Sequence, residues 1–326
     1  MMDKPDIVFV NGLIKSMEKN LISAEKFARI TEAETAEEVV KTLRESGFGG
    51  EEEYAPQNYE RMIADDRAKF LSFLRKYCPK ESILQAYFAQ RDFHNAECAL
   101  RAKYVSVSQS AFLEEGEVAL PTLLKAVETG DYSQIPAYLS APMKKGEELF
   151  IEQTATGIAI GTLFRRAYYD YLLKVVRGKE QKRFLQHEID AKNLSVAFRS
   201  QTVIQAESMY VTGGKICRAD LNLIVDGDAA KISRRFLFGE YADLVSLGME
   251  ARAEQRPMVE FERFAEDFAL KKLKERRFET EGLVPLLLFV HYKENEWKNV
   301  RIAIVGKLNG VDGESVRKRL RECYNG

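Results

Sequence analysis

The stretch Glu296-Trp297-Lys298-Asn299-Val300-Arg301-Ile302-Ala303-Ile304-Val305 decides the fold class, because its second half can be read two ways. Val300 to Val305 alternates in the manner of a half-buried strand. The first half points elsewhere, since it has two close counterparts. One is Asp92-Phe93-His94-Asn95-Ala96-Glu97-Cys98-Ala99-Leu100-Arg101, the other Asp190-Ala191-Lys192-Asn193-Leu194-Ser195-Val196-Ala197-Phe198-Arg199. Each copy has an acid, a basic residue two positions on, then Asn, and Ala four beyond the Asn. Acid, Asn and Ala at i, i+3 and i+7 share one helical face. The repeat therefore predicts a helix over 296–305 despite the alternation.

Outward from these segments the first two copies stay in step. Phe112 matches Tyr210, Gly116 matches Gly214, Val118 matches Ile216 and Leu123 matches Leu221, all at one constant interval. Thr129-Gly130-Asp131 then resembles Asp226-Gly227-Asp228, one residue out of register. Segments 92–128 and 190–225 are expected to fold alike, related by about a third of a turn. Related units of about a hundred residues suit a modest domain each. The approximate division is 1–108, 109–206 and 207–326.

Helix signals dominate the rest of the chain. Thr35-Ala36-Glu37-Glu38 has the form of a capping box before Val39, Val40 and Leu43, with Gly47 as a stop. Pro121 opens a helix that Gly130 ends. Phe261 to Phe278 follows helical spacing through Phe264, Ala265, Phe268 and Leu273. Gly213-Gly214 marks a turn. Before the last helix Asp312 or Ser315 serves as the cap, with Val316 and Leu320 facing inward. Gly157 and Gly161 have the spacing of a close helix–helix contact and lack the Lys-Ser/Thr of a phosphate loop.

The repeat residues Asp92, Asn95, Ala99, Asp190, Asn193, Ala197, Glu296, Asn299 and Ala303 are read as a packing signature. Alanine permits close approach of a neighbouring helix, and Asn with the acid can satisfy backbone groups at that neighbour's end. Asn193 is expected to be buried and bonded to backbone.

Composition narrows the function classes. Lys and Arg total 49 against 50 Asp and Glu, so the basic excess of a phosphate-gripping protein is missing and no nucleic-acid partner is expected. Cys78, Cys98, Cys217 and Cys323 have neither metal-like nor redox-like spacing, and the N-terminus lacks an export signal, which predicts a reduced, cytoplasmic protein. The best apolar stretches, Gln153–Phe164 and Leu283–Tyr292, are well short of the ~20 residues that span a bilayer. His94, His187 and His291 each lie near a repeat motif, but at different phases, so they would not converge on a metal. An acid–base enzyme would have to use Asp92 with His94, or Asp190 with His187, in a shared pocket. No nucleophile elbow or zinc spacing occurs. Neither a catalytic residue nor a cofactor or metal site is predicted.

Four separated motifs, taken together, resemble the C-type subunit of bacterial and archaeal V/A-type ATPases, the equivalent of the eukaryotic d-type subunit. Gln90-Arg91-Asp92-Phe93-His94-Asn95 with Leu100-Arg101-Ala102-Lys103 resembles that family's first repeat, and Glu188–Leu194 with Ala197-Phe198-Arg199 its second. Tyr292–Arg301 looks like its C-terminal signature, and Phe9-Val10-Asn11-Gly12 its first helix. The sequence departs from the pattern at His94 and at Glu296, which stands for Asp. The resemblance implies an all-α funnel of three similar helical domains with pseudo-threefold symmetry. It also implies a non-catalytic central-stalk rotor subunit, one copy per complex, peripheral on the cytoplasmic face of the membrane. Its partners would be the D/F shaft subunits and the proteolipid ring, for ATP-linked proton or sodium transport. A helical scaffold outside any rotary motor is the alternative, against which the long repeat interval counts, solenoid units being ~35–45 residues.

Overall fold

The computed structural model describes residues 5–50, 52–79, 81–105, 112–113, 116–324. Among them, regular structure is helical throughout, and the one β feature is an isolated parallel bridge between Ser23 and Tyr324. The chain divides into two compact units. Unit 1 combines Met1–Lys80 with Leu270–Gly326, and unit 2 is Glu81–Ala269.

Unit 1 begins with α1 (Ile7–Met17), α2 (Ala24–Glu32), α3 (Ala36–Glu45) and α4 (Tyr59–Tyr77). Unit 2 holds α5 (Glu81–Tyr104), α6 (Leu120–Thr129), α7 (Ala137–Ile151), α8 (Gly157–Val175), α9 (Lys179–Arg199), α10 (Val203–Met209), α11 (Arg218–Asp226), α12 (Ala229–Phe236) and α13 (Ala242–Ala253), and most of α14 (Val259–Lys274). The chain returns to unit 1 for α15 (Val284–Leu308) and α16 (Gly313–Arg319).

The ambiguous stretch lies inside α15, a helix as the repeat predicts. Its alternation has a physical origin. α15 is the central helix of unit 1, with α1, α2, α3, α4 and α16 packed around it. Val284, Leu286, Leu288, Tyr292, Trp297, Val300 and Ile304 are all buried, so apolar residues wrap well over half of the helix and the helical period is blurred. Trp297 meets the Phe70 ring edge-on at 5.5 Å and donates its indole N–H to Asp66 Oδ2 at 2.7 Å. Arg301, the polar interruption, reaches outward to form a two-pronged ion pair with Glu60.

Unit 2 has two cores. Ala96, Leu100, Leu123, Leu139, Met143 and Phe164 gather α6, α7 and α8 around α5. Leu194, Ala197, Tyr210, Leu221, Leu244 and Phe261 gather the later helices around α9. α6 and α11 both end at a left-handed glycine, Gly130 (φ 72°) and Gly227 (φ 79°), where any other residue would carry a Cβ penalty.

Capping follows the sequence closely. Thr35 accepts from Glu38 N–H at 3.2 Å, although Glu38 reaches back to Glu34 N–H rather than to Thr35. Asp312 caps α16 through Ser315 N–H at 2.9 Å, and Val316 is buried while Leu320 is half-buried past the helix end. One expectation needs correction. The helix read as Phe261 to Phe278 stops at Lys274, because Arg276 and Arg277 N–H turn back to Leu273 and Lys274, and Phe278 is left exposed. Of the threefold division, the 108/109 boundary lies outside the described residues and 206/207 falls within α10.

Candidate functional site

The three repeat asparagines are buried, and each clasps the backbone of one distant residue with both ends of its carboxamide. Asn95 Nδ2 donates to Leu113 C=O at 2.6 Å while Oδ1 accepts Leu113 N–H at 2.7 Å. Asn193 does the same with Val211 at 2.9 and 2.8 Å, and Asn299 with Arg321 at 3.0 and 2.7 Å. Asn suits this task because its amide copies a peptide group, offering one donor and one acceptor side by side. The clasped residue lies 18 positions downstream in the first two copies and 22 in the third. Val211 and Arg321 each come just after a short helix, α10 and α16, which the clasp ties to the long helix beside it.

One turn earlier on the same faces sit the acids. Asp92 Oδ1 accepts Val118 N–H at 3.1 Å and Oδ2 accepts Tyr138 Oη–H at 3.1 Å. Asp190 accepts Ile216 N–H at 3.0 Å, Lys215 N–H at 2.9 Å and the Tyr241 hydroxyl at 2.5 Å. Glu296 accepts Ile22 N–H at 2.7 Å and pairs with Lys293, which also meets Asp66 at 2.7 Å. Val118, Ile216 and Ile22 occupy the same place: each directly precedes the N-cap of a helix, α6, α11 and α2. A carboxylate there faces the positive helix end and fixes the angle of chain entry. Burial pushes the carboxyls of Asp92, Asp190 and Glu296 above their ordinary range, against the pull of these donors.

The matched glycines have a reason. A Cβ on Gly116 would lie 2.2 Å from Asp92 Oδ1, and one on Gly214 2.1 Å from Asp190 Oδ1. A short Asp stem requires the loop to come that close. In the third copy the corresponding position, two before Ile22, is Asn20. Glu296, one methylene longer, makes the equivalent reach to Ile22 N–H.

The repeat alanines are buried, and in the first two copies the residue after the alanine packs on a neighbouring helix. A Cβ on Gly146 of α7 would meet Leu100 Cδ2 at 2.4 Å, and one on Gly248 of α13 would meet the Phe198 ring at 2.5 Å. Sequence reasoning missed these two glycines. A signal exists: each stands six residues before a Glu-Gln pair whose glutamine has positive φ, Gln153 (57°) and Gln255 (52°). The glycines at 157 and 161 do face α5, where Arg101 and Glu97, themselves paired at 2.6 Å, fill the space.

These contacts use up the acids that could have done chemistry. Asp92 is committed to Val118 and Tyr138, while His94 Nε2 lies 3.5 Å from Cys98 Sγ. Between Asp190 and His187 stands the Tyr241 hydroxyl. Among the described residues no three His, Cys, Asp or Glu side chains gather as metal ligands, and no helix is long and apolar enough to cross a membrane.

Known proteins are similar to this chain over nearly its whole length. The family described as ATP synthase (C/AC39) subunit matches residues 10–319. The C-type subunit of the V-type sodium ATPase of Enterococcus hirae is 22% identical over 332 residues, covering 97% of this chain and 98% of the relative. The C-type subunit of the A-type ATP synthase of Methanocaldococcus jannaschii is 24% identical, covering 98% and 87%, and that of Thermococcus kodakarensis 22%, covering 96% and 90%.

Proposed function

This chain belongs to the ATP synthase (C/AC39) subunit family, and from that premise we propose that it is the central-stalk rotor subunit of a V/A-type rotary ATPase. It is a non-catalytic subunit. In this reading it couples the D/F shaft to the membrane proteolipid ring, one copy per complex, peripheral on the cytoplasmic face. The observation that carries the proposal is the correspondence, over nearly the whole chain, with C-type subunits of V-type and A-type complexes.

A torque-bearing adaptor must be stiff, and the clasps supply a physical basis for stiffness. Each fixes a loop or a short helix to a long helix through buried, doubly satisfied polar groups, which hold a unique geometry where apolar packing alone would tolerate sliding. We read the three clasps as markers of three related helical repeats. The first is centred on α5 and the second on α9. The third is centred on α15 and completed by α2, whose leading residue Ile22 meets Glu296.

Membranes carrying the ion-translocating sector, reconstituted with the soluble motor, test the function. Omitting this chain should leave ATP hydrolysis by the soluble part intact while abolishing ion pumping driven by it. Persistent pumping without the chain would remove it from the coupling path and favour the scaffold reading.

A further inference from the structure

Beside the second clasp runs a line of four titratable groups, Asp190, Tyr241, His187 and Glu240. The Tyr241 hydroxyl lies 2.5 Å from Asp190 Oδ2, His187 Nδ1 lies 3.1 Å from that hydroxyl, and His187 Nε2 lies 3.3 Å from Glu240 Oε1. The first two gaps are hydrogen bonds that hold one proton each, and the third is an ion-pair contact, attractive only when the ring is charged. Two carboxylates, one phenol and a neutral imidazole hold only two. If the phenol donates to Asp190 and Nδ1–H donates to the phenol, a bare Nε2 faces a carboxylate oxygen.

We propose that this network binds one further proton, carried by His187 as a buried imidazolium, and that the proton clasps the turn at 237–241 onto α9. Asp190 is the competing carrier, since burial raises its carboxyl, and the pull against protonating it is local. It already accepts Lys215 and Ile216 backbone N–H bonds, which favour its charged form. Glu240 is the counter-ion. Burial would raise its carboxyl, yet the bonds from Lys215 and Arg183 help hold it below its ordinary value. Two cations oppose the imidazolium, Arg183 at 3.4 Å and Lys215 at 3.1 Å from Glu240. Both keep solvent contact, 51% and 34% exposed, and are screened accordingly. From α14 the ring of Phe268 meets His187 edge-on at 5.6 Å.

The clasp matters for what the turn displays. Leu237 is 60% and Phe238 97% exposed, an apolar tip between α12 and α13. Pinning Glu240 pins that tip. A proton gained on folding adds stability that is present in full below the ordinary histidine range, ~6.5, and lost as pH rises through the folded value.

Imidazole nitrogen NMR of the full-length protein tests the proposal, with His187→Gln identifying the His187 signals. At about pH 7 both His187 nitrogens should report protonation, where an exposed histidine is mostly neutral. Glu240→Gln should weaken proton binding at least tenfold, moving the midpoint down by about one pH unit. Amide exchange of residues 237–241 should accelerate as the proton leaves, and Glu240→Gln should show that faster exchange already at about pH 7. A neutral His187 ring at that pH, or a midpoint unmoved by Glu240→Gln, overturns the proposal.

Discussion

Asn193 and Val211 pair as two strand residues would, the carboxamide taking both the N–H and the C=O of one buried residue. Asn193→Leu removes the partner of both groups and puts nothing in their place. Each orphaned group costs roughly 1–3 kcal/mol, so the substitution should lower the denaturant midpoint clearly. A variant that unfolds with the wild-type midpoint would end the structural account of this residue.

Two glycines make a controlled comparison. Gly214→Ala drives a methyl into Asp190 Oδ1 and should destabilise by more than 1 kcal/mol, the scale of a strained core insertion (~1–3). Gly12→Ala, at an exposed position of α1 with nothing within 4 Å of the new methyl, should stabilise by about 0.5–1 kcal/mol. Melting curves of the two variants should therefore shift in opposite directions.

At its acid the third copy differs from the others by one methylene and one loop residue. Glu296→Asp should shorten the reach to Ile22 N–H and cost stability, on the order of 1–3 kcal/mol. Adding Asn20→Gly, which lets the loop approach as it does at Gly116 and Gly214, should recover part of that loss. Equal melting temperatures for the single and double variants would break the equivalence.

Acid sensitivity has a separate source at Glu147. Burial pushes its carboxyl up, but Lys103 at 2.5 Å and the Tyr132 hydroxyl at 3.0 Å outweigh it and hold the group below its ordinary value. The folded form thus stays ionised to lower pH than the unfolded form. The stability so gained is present above about pH 4.5 and is lost as pH falls through the folded value. Glu147→Gln should be less stable than wild type at about pH 7, with the gap closing towards about pH 3. A gap that stays constant in acid would assign the loss to packing.

The nine signature residues stand out in the sequence because each trio keeps one spacing along its own helix. Their partners were harder. Val211 and Leu113 carry no chemical mark, since only their backbone is used. Ile22 could not be found by sliding the repeat downstream, because it lies near the opposite end of the chain. The fold class was readable through the repeat even where Val300–Val305 argued otherwise, as a helix buried on most sides keeps only a narrow polar stripe to set its period. Tyr138 and Tyr241 escaped notice for a similar reason: they stand at unequal distances from their acids, and α12 intervenes in one copy alone.

Because Ile22 answers to Glu296 and Ser23 to Tyr324, the third clasp imposes an order on biosynthesis. Residues 81–269 form one uninterrupted unit, whose two cores need nothing still inside the ribosome. The amino-terminal helices emerge first yet wait for α15, holding Val10, Ile14, Phe27 and Ile30 uncovered until the last stretch is made. Nascent chains in that interval are where chaperones should engage this protein. A premature stop before α15 would leave those four helices without a core, while the middle unit keeps its own.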